Sequence, residues 1–318
     1  MTVLILTAEQ DVTADMVVAK LHERGVPMVR LDPADLPGKA VLSADYAHGD
    51  FDGYLSVNGH VLSMGGLRSV WVRRPGEPAA HAAEPSAWLT AETRQALFGM
   101  LYSASTRWMN HPRRAEQARH KPWQLRVAHS SGFAVPPTVI TTAPRVAQQF
   151  VLEYRDVVVK SASGPPPGEP RVALPTTLVG PDTDFSGVAA GPALLQRYIP
   201  KRADIRLTAI GNRIFAARKT AEPGQVDGRF GETGNGWEPL AAVPERIARS
   251  VHDYLVFTGL AYAAFDFAED ADGVWWFLEC NQGGQFGFVE LETGQPIAEE
   301  VALWLALRRP DFRIPEGH

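Results

Sequence analysis

The chain has 318 residues, 45% of them hydrophobic and 21% charged, with a formal net charge of −5. That length supports a substantial core and two or three packed subdomains, and the acidic balance removes any global attraction to nucleic acid or to an anionic membrane. No apolar run approaches the roughly 20 residues of a membrane span. The sole cysteine, Cys280, cannot form an internal disulfide, and no signal-like segment precedes the first strand, so a cytoplasmic location is expected.

The N-terminus reads as strand, helix, strand: Thr2 to Leu6, Val12 to Arg24 and Val26 to Leu31, with Asp11 or Thr13 as the helix cap. A βαβ start predicts a parallel sheet. A Gly-rich dinucleotide fingerprint is missing, which disfavours a simple dehydrogenase. Tyr54 to Val57 and His60 to Ser63, joined by Asn58-Gly59, form a hairpin, and Ser69 to Arg73 returns as a buried strand. One long helix is expected from about Ala87 to Trp108, closed by Asn110-His111-Pro112. A second runs from Ala115 to Ser130. Strands at Val139 to Thr142 and Val157 to Lys160 flank a helix from Pro144 to Glu153, and the Gly/Pro/Ser run from Ser161 to Pro170 reads as a mobile loop. Further strands are expected at Ala193 to Ile199, Ile205 to Ile210 and Arg213 to Lys219. The Gly-rich, aperiodic stretch Glu222 to Glu238 is a functional or disordered loop. Helices from Pro244 to Thr258 and Pro296 to Leu307 bracket a last hairpin, Ala263 to Phe267 and Trp275 to Leu278, turned by Asp270-Ala271-Asp272-Gly273.

That hairpin carries the strongest chemical signal. Glu279 and Asn281 alternate onto one face of their strand, and Asp266 can sit opposite them. Three hard oxygen ligands then converge, as a magnesium ion beside phosphates requires. A polar hairpin with solvated acids is the alternative, disfavoured by the apolar run Val274-Trp275-Trp276-Phe277-Leu278. Lysine is rare beside arginine, occurring only at Lys20, Lys39, Lys121, Lys160, Lys201 and Lys219. Lys160 ends a strand next to a small-residue loop, where it and Ser161 can meet phosphate oxygens, although a lysine merely snorkelling at a strand end fits too. Lys121 opens a helix, a poor place for a cation unless an anion binds nearby, and a solvated basic turn explains it equally. Gln196-Arg197-Tyr198-Ile199 ends a strand whose open backbone groups can meet an adenine edge. Asp204 can take a ribose hydroxyl, and Arg206 would point toward Asp266 and Glu279 or toward phosphate. Arg73 and Arg74 precede Pro75 and are expected to be displayed at a domain edge, where they could hold the carboxylates of an acidic peptide.

The order lysine, lysine at a strand end, Gln-x-Tyr-Ile, Asp-Ile-Arg, then Asp with Glu-x-Asn resembles the ATP-grasp ligases. The stretch Glu279-Cys280-Asn281-Gln282-Gly283-Gly284-Gln285-Phe286-Gly287-Phe288-Val289-Glu290, followed by Thr293-Gly294-Gln295-Pro296-Ile297-Ala298, is similar to the signature of ribosomal-peptide maturases of the graspetide, or microviridin, type. Val3 to Thr7, Thr13-Ala14-Asp15, Arg30-Leu31-Asp32, Val70 to Pro75 and Asn110-His111-Pro112 resemble their N-terminal domain. The resemblance implies an α/β protein with α+β C-terminal lobes: an N-terminal pre-ATP-grasp domain at residues 1–112, a central lobe at 113–192 and a C-terminal lobe at 193–318. It implies ATP and Mg²⁺ as cofactors, with Lys121, Lys160, Ser161, Gln196, Arg197, Tyr198, Ile199 and Asp204 binding ATP and Asp266, Glu279 and Asn281 the metal. Arg206 and Arg229 would stabilise charge during catalysis. The implied reaction activates a carboxylate as an acyl phosphate and closes an ester or amide within a ribosomally made precursor with an acidic core. A homodimer is allowed, and neither nucleic acid nor membrane is expected as a partner.

The chain departs from the family at two places: Gln282 stands where proline usually follows the asparagine, with Phe286 and Phe288 at positions that are often Trp, and Asp227-Gly228-Arg229 stands where Asp-Trp-Arg is usual. Two other readings remain at this level, a ligase joining an amino acid or small amine to a peptide or small acid, and an ATP-binding peptide-recognition module without turnover.

Overall fold

The computed structural model describes residues 1–47, 50–163, 174–222, 224–227 and 236–307. The chain opens with β1 (Thr2–Thr7), α1 (Val12–Glu23) and β2 (Met28–Leu31), and β1 and β2 run parallel. Asp11 caps α1, its carboxylate accepting from the Thr13 and Ala14 amides. A separate antiparallel sheet follows from β3 (Ala40–Ala47), β4 (Asp50–Val57) and β5 (His60–Ser63), its last turn carried by Asn58 and Gly59 at φ 50° and 79°. β6 (Leu67–Arg74) lies parallel to β1, then come α2 (Ala87–Ser103) and β7 (Arg107–Met109), giving a parallel sheet of order β2-β1-β6-β7. The helix expected to reach Trp108 therefore stops at Ser103. Ser103, Ser105 and Thr106 weaken a helix by offering competing local hydrogen bonds, while Arg107 to Met109 gain a ladder against Ser69 to Trp71.

The next expected helix is in fact two, α3 (Pro112–Ala118) and α4 (Lys121–Ser130). Pro122 explains the break: it has no N–H to continue the ladder, and its ring would strike the carbonyl four residues back. After them come β8 (Thr138–Thr141), α5 (Pro144–Tyr154), β9 (Val157–Lys160), β10 (Thr177–Val179) and β11 (Ala193–Arg197), an antiparallel sheet of order β10-β9-β11-β8 with α5 packed on it. Most of the loop expected to be mobile, Ser161 to Pro170, lies outside the described residues, as does much of Glu222 to Glu238.

The last lobe is built from β12 (Lys201–Ile210), β13 (Arg213–Thr220), β14 (Glu238–Pro239), α6 (Glu245–Thr258), β15 (Tyr262–Asp270), β16 (Trp275–Asn281), α7 (Gly287–Thr293) and α8 (Ile297–Ala306). Its antiparallel sheet, β14-β13-β12-β15-β16, buries Ile205, Leu207, Phe265, Phe267 and Phe277 against α4 and α6. From its other face Tyr262 and Ala264 pack with α7, α8, α1 and β1 in a second core. Ser69 and Arg68 of β6 donate to the Leu305 and Ala306 carbonyls at the end of α8. The N-terminal sheet is thus fastened to the last lobe rather than held on a loose tether. No helix among the described residues is long and apolar enough to cross a membrane.

Candidate active site

A cleft of about 840 Å³ opens between the sheet that carries β9 and β11 and the sheet that carries β12, β15 and β16. Lys121, Lys160, Ser161, Gln196 to Ile199, Asp204, Arg206, Asp266, Glu279 and Asn281 all line it. A β-bulge makes the acid wall. Asp266 pairs with Glu279 and Ala264 with Asn281, but Phe267 pairs with Phe277, so Leu278 is an extra residue in β16. Under strict alternation Glu279 would share the core-facing side with Trp275 and Phe277. The bulge reverses the phase: Phe277 and Cys280 both enter the core, while Glu279 and Asn281 turn to the cleft beside Asp266.

The acids are held by cations. Arg206 Nη1 donates to both oxygens of Asp266, at 2.7 and 2.8 Å, and Lys121 Nζ lies 3.1 Å from Glu279 Oε2. Burial pushes the Asp266 carboxyl above its ordinary value against the pull of Arg206, with the nearby Glu279 charge adding to the rise. Burial would also raise Glu279, but the Lys121 charge and then that of Lys160 reverse the direction and hold it below the usual range. Asn281 Nδ2 sits 3.4 Å from Glu279 Oε1. Among the described residues no group of three His, Cys, Asp or Glu side chains is placed to hold a metal. Any cation here would rest on two carboxylates and an amide, a set that suits magnesium, which keeps water and phosphate oxygens as its other ligands.

Facing the acids, Lys160 Nζ donates to Gln196 Oε1 at 2.7 Å, and Gln196 Nε2 donates to Thr138 Oγ1 at 2.9 Å, so two neighbouring strands fix the lysine head. Burial, and then the Lys121 charge, push the Lys160 ammonium down to about 8. Ser161 Oγ accepts from the Ser163 amide. The expectation of open backbone along the hinge needs correcting in part: the Arg197 and Tyr198 amides donate to Pro137 and Asp156 carbonyls, at 2.9 Å each. These two donors are therefore spent on fixing the hinge. Asp204 Oδ1 accepts from Lys201 Nζ at 2.6 Å, while its Oδ2 is buried without a hydrogen-bond partner.

Arg73 is not displayed at an edge. It is 6% exposed, lies 3.4 Å from Asp11 and donates to the Gly283 carbonyl, because β6 continues to Arg74 and its alternation turns Arg73 inward. Arg74 faces outward, and with the Gln285 amide turned so that Oε1 meets it, its Nη1 lies 2.7 Å away. Arg229 lies outside the described residues, whereas Asp227 lines the cleft and accepts from the Thr176 amide at 3.0 Å.

The sequence reading missed several neighbours. Gln124 Nε2 donates to the Cys280 carbonyl at 2.8 Å and Gln124 Oε1 accepts from the Cys280 amide at 3.1 Å, locking α4, and with it Lys121, to the bulged strand. Lys219 is buried opposite Asp204 and lines the cleft, and the rarity that singles out Lys160 applies to it equally. The Trp237 and Phe288 rings, both lining the cleft, meet at a tilt with centroids 6.0 Å apart, and no local pattern announces that meeting.

Residues 2–116 match the family model described as the MvdD pre-ATP grasp domain. The macrocyclase MdnC from Microcystis aeruginosa MRC, solved bound with the precursor peptide MdnA, superimposes with a TM-score of 0.84 at 26% identity, covering 96% of this chain and 99% of that one. A RiPP-associated ATP-grasp ligase from Chryseobacterium gregarium, in complex with ADP and a leader and core peptide, gives 0.83 at 23% over 97% of both chains. PsnB, an ATP-grasp ligase complexed with minimal precursor, Mg and ADP, gives 0.75 at 20% over 95% of this chain and 96% of that one. No curated protein sequence matches. Fold and comparisons together define the class: an ATP-grasp ligase behind a pre-ATP-grasp domain. Within it, the chain is similar to ribosomal-peptide maturases of the graspetide type, through its matched N-terminal domain and its likeness to MdnC.

Proposed function

We propose that this protein uses ATP and Mg²⁺ to form ester or amide crosslinks within a ribosomally made precursor peptide with an acidic core, in the cytoplasm, where a homodimer is allowed. Residues 1–112 serve as the pre-ATP-grasp domain, 113–192 as the central lobe and 193–318 as the C-terminal lobe. The observation that carries the reading is one cleft in which Lys160 on one wall faces Asp266 and Glu279 on the other, with Lys121 beside Glu279. Such a cleft can take a polyphosphate and a cation together.

In this reading Lys160 and Lys121 hold phosphate oxygens, with Ser161 beside them, the Gln196 to Ile199 hinge borders the base and Asp204 Oδ2 accepts from a ribose hydroxyl. Asp266, Glu279 and Asn281 hold magnesium, which neutralises phosphate charge when bound. A peptide carboxylate attacks the terminal phosphorus of ATP, ADP leaves, and an acyl phosphate forms. A hydroxyl or amine of the same peptide then attacks that carbonyl, phosphate departs, and the attacking group gives up its proton. Arg206 and Arg229 stabilise the negative charge that grows on the transferring group. The net change in the peptide is loss of one water per crosslink.

The test is incubation with the peptide encoded beside the gene, ATP and Mg²⁺, followed by mass measurement. Loss of water with matching ADP release is expected. A mass gain from an added amine would replace this reading with a two-substrate ligase, and nucleotide binding without ADP release would leave a recognition module.

A further inference from the structure

The buried Arg73 has no role in the reading above, yet its surroundings are built around it. Its side chain is 2% exposed, and its Nη1 donates to two successive carbonyls, Gly283 and, at 3.3 Å, Gly284. The counter-charge Asp11 cannot move away, since its oxygens also accept from the Thr13 and Ala14 amides at 3.1 and 3.2 Å and from Thr7 Oγ1 at 2.9 Å. Gly284 O takes a second bond from Tyr262 Oη at 2.7 Å, and the next carbonyl, Gln285, accepts from Arg206 Nη2 at 2.8 Å. Three consecutive carbonyls just after Asn281 are thus gripped by side chains from β6, β15 and β12.

Space at this turn is as tightly set as its hydrogen bonds. A Cβ on Gly284 would fall 2.6 Å from Ala264 Cβ and 2.7 Å from Arg206 Nη2, so the backbone passes where no larger residue fits. The same Arg206 reaches Asp266 through its other nitrogen. Burying Arg73 is an expensive way merely to glue two domains, because Nη2 has no hydrogen-bond partner and an apolar contact would hold them at less cost.

We infer that Arg73 is a positioning residue through which the N-terminal domain sets the catalytic wall: it fixes the Gly283-Gly284 turn, and the turn fixes Arg206 against Asp266 and Asn281 beside Glu279. The inference rests on the ligase reading for its kinetic test and on the geometry alone for its binding test.

The experiment compares Arg73→Lys and Gly284→Ala with wild type in full-length protein, measuring ADP release with peptide, the KM for ATP, thermal midpoint, and the Mg²⁺ concentration giving half-maximal ADP binding by calorimetry. Arg73→Lys keeps the charge but loses the planar fork. Gly284→Ala presses on Ala264, Arg206 and Asn281 from the turn itself and leaves the Arg73 side chain unsubstituted. In both variants kcat should fall tenfold or more at saturating ATP, with the KM for ATP within twofold of wild type, and the Mg²⁺ requirement should rise at least threefold. Folded Arg73→Lys with unchanged kcat and Mg²⁺ requirement overturns the inference, as does a kcat loss that follows the folded fraction. Where Arg73→Lys does not fold, a folded Gly284→Ala that keeps both values overturns it. A wild-type enzyme that binds ADP but converts no peptide would sink the ligase reading, and the Mg²⁺ titration would then still decide the role of Arg73.

Discussion

The two walls of the cleft are built from different material. The acids stand on a sheet backed by interlocking rings: Phe133 contacts Phe267 at 5.3 Å and Phe277 at 5.7 Å, and Tyr254 meets Phe265 edge-on at 5.2 Å. Lys160 stands on a small sheet whose buried core is Ala147, Val151, Val157, Phe185 and Leu195. A large core of interlocking rings fixes its sheet through large buried area, whereas a smaller core of five buried residues, only one of them aromatic, opens and shifts at lower free energy. The acid-wall geometry is therefore preset, and adjustment on binding is expected to fall to the sheet that carries Lys160.

The sharpest way to break this picture is to change the acid wall chemically without touching its packing. Glu279→Gln keeps volume and should leave the thermal midpoint close to wild type, yet reduce turnover at least about 100-fold, because a bound cation supplies several kcal/mol to phosphoryl chemistry. Turnover close to wild type across Mg²⁺ concentrations would remove Glu279 from the metal site. The packing contrast has its own test. Phe265→Ala should cost about 3–5 kcal/mol in denaturant unfolding, and Val151→Ala no more than about 3 kcal/mol. Equal costs would erase the distinction between the walls.

What the sequence disclosed follows the same division. The βαβ opening, the Asn58-Gly59 hairpin and the hairpin bearing Asp266 and Glu279 were legible because periodicity and turn chemistry are local. The bulge at Leu278 was not, since an extra residue in a strand leaves no compositional mark; Glu279 and Asn281 do share the cleft face, but only because the bulge lifts them off the side held by Phe277. Arg73 was misread for a related reason. Pro75 marks the strand end, but which of two adjacent arginines turns inward depends on pairing with β1 and on Asp11, a residue from another element. β3 and α7 went unseen because Ala40 to Ala47 alternates weakly and Gly287 to Thr293 is a short helix inside a Gly-rich signature.

A smaller effect should appear on the cation wall with pH. The Lys160 ammonium is pushed down to about 8, so above that pH the nucleotide-free cleft loses a positive charge. In the unfolded chain the lysine keeps its proton to about 10.4. Between those values the unfolded state binds more protons, and the nucleotide-free protein gains stability as pH rises through the window. Phosphate entering the cleft should restore the proton. Calorimetry of ADP binding near pH 9, in buffers of different ionisation enthalpy, should show proton uptake that vanishes in Lys160→Gln, together with an affinity loss of roughly ten- to a hundredfold. Identical uptake in the variant would place the titrating group elsewhere.

The smallest expected effect lies at the cleft mouth. Arg74 is exposed and touches Gln285, a residue of the cleft lining, so it can meet the carboxylates of an acidic peptide as they approach. An exposed ion pair is worth about 0.2–1 kcal/mol, so Arg74→Ala should raise the KM for precursor no more than about fivefold and leave nucleotide affinity unchanged. Arg73→Ala would be a poor control, because that side chain is buried in a domain contact and its loss acts on the fold. Added salt should shrink the difference between Arg74→Ala and wild type, since an exposed pair is screened over about 8 Å at physiological ionic strength. An unaltered KM at low salt would move the acidic-peptide contact to Arg119, which also lines the cleft and pairs with the exposed Glu116 at 3.0 Å; Arg113 and Arg114 are less suited, being packed over the Tyr102 ring and against Gly259.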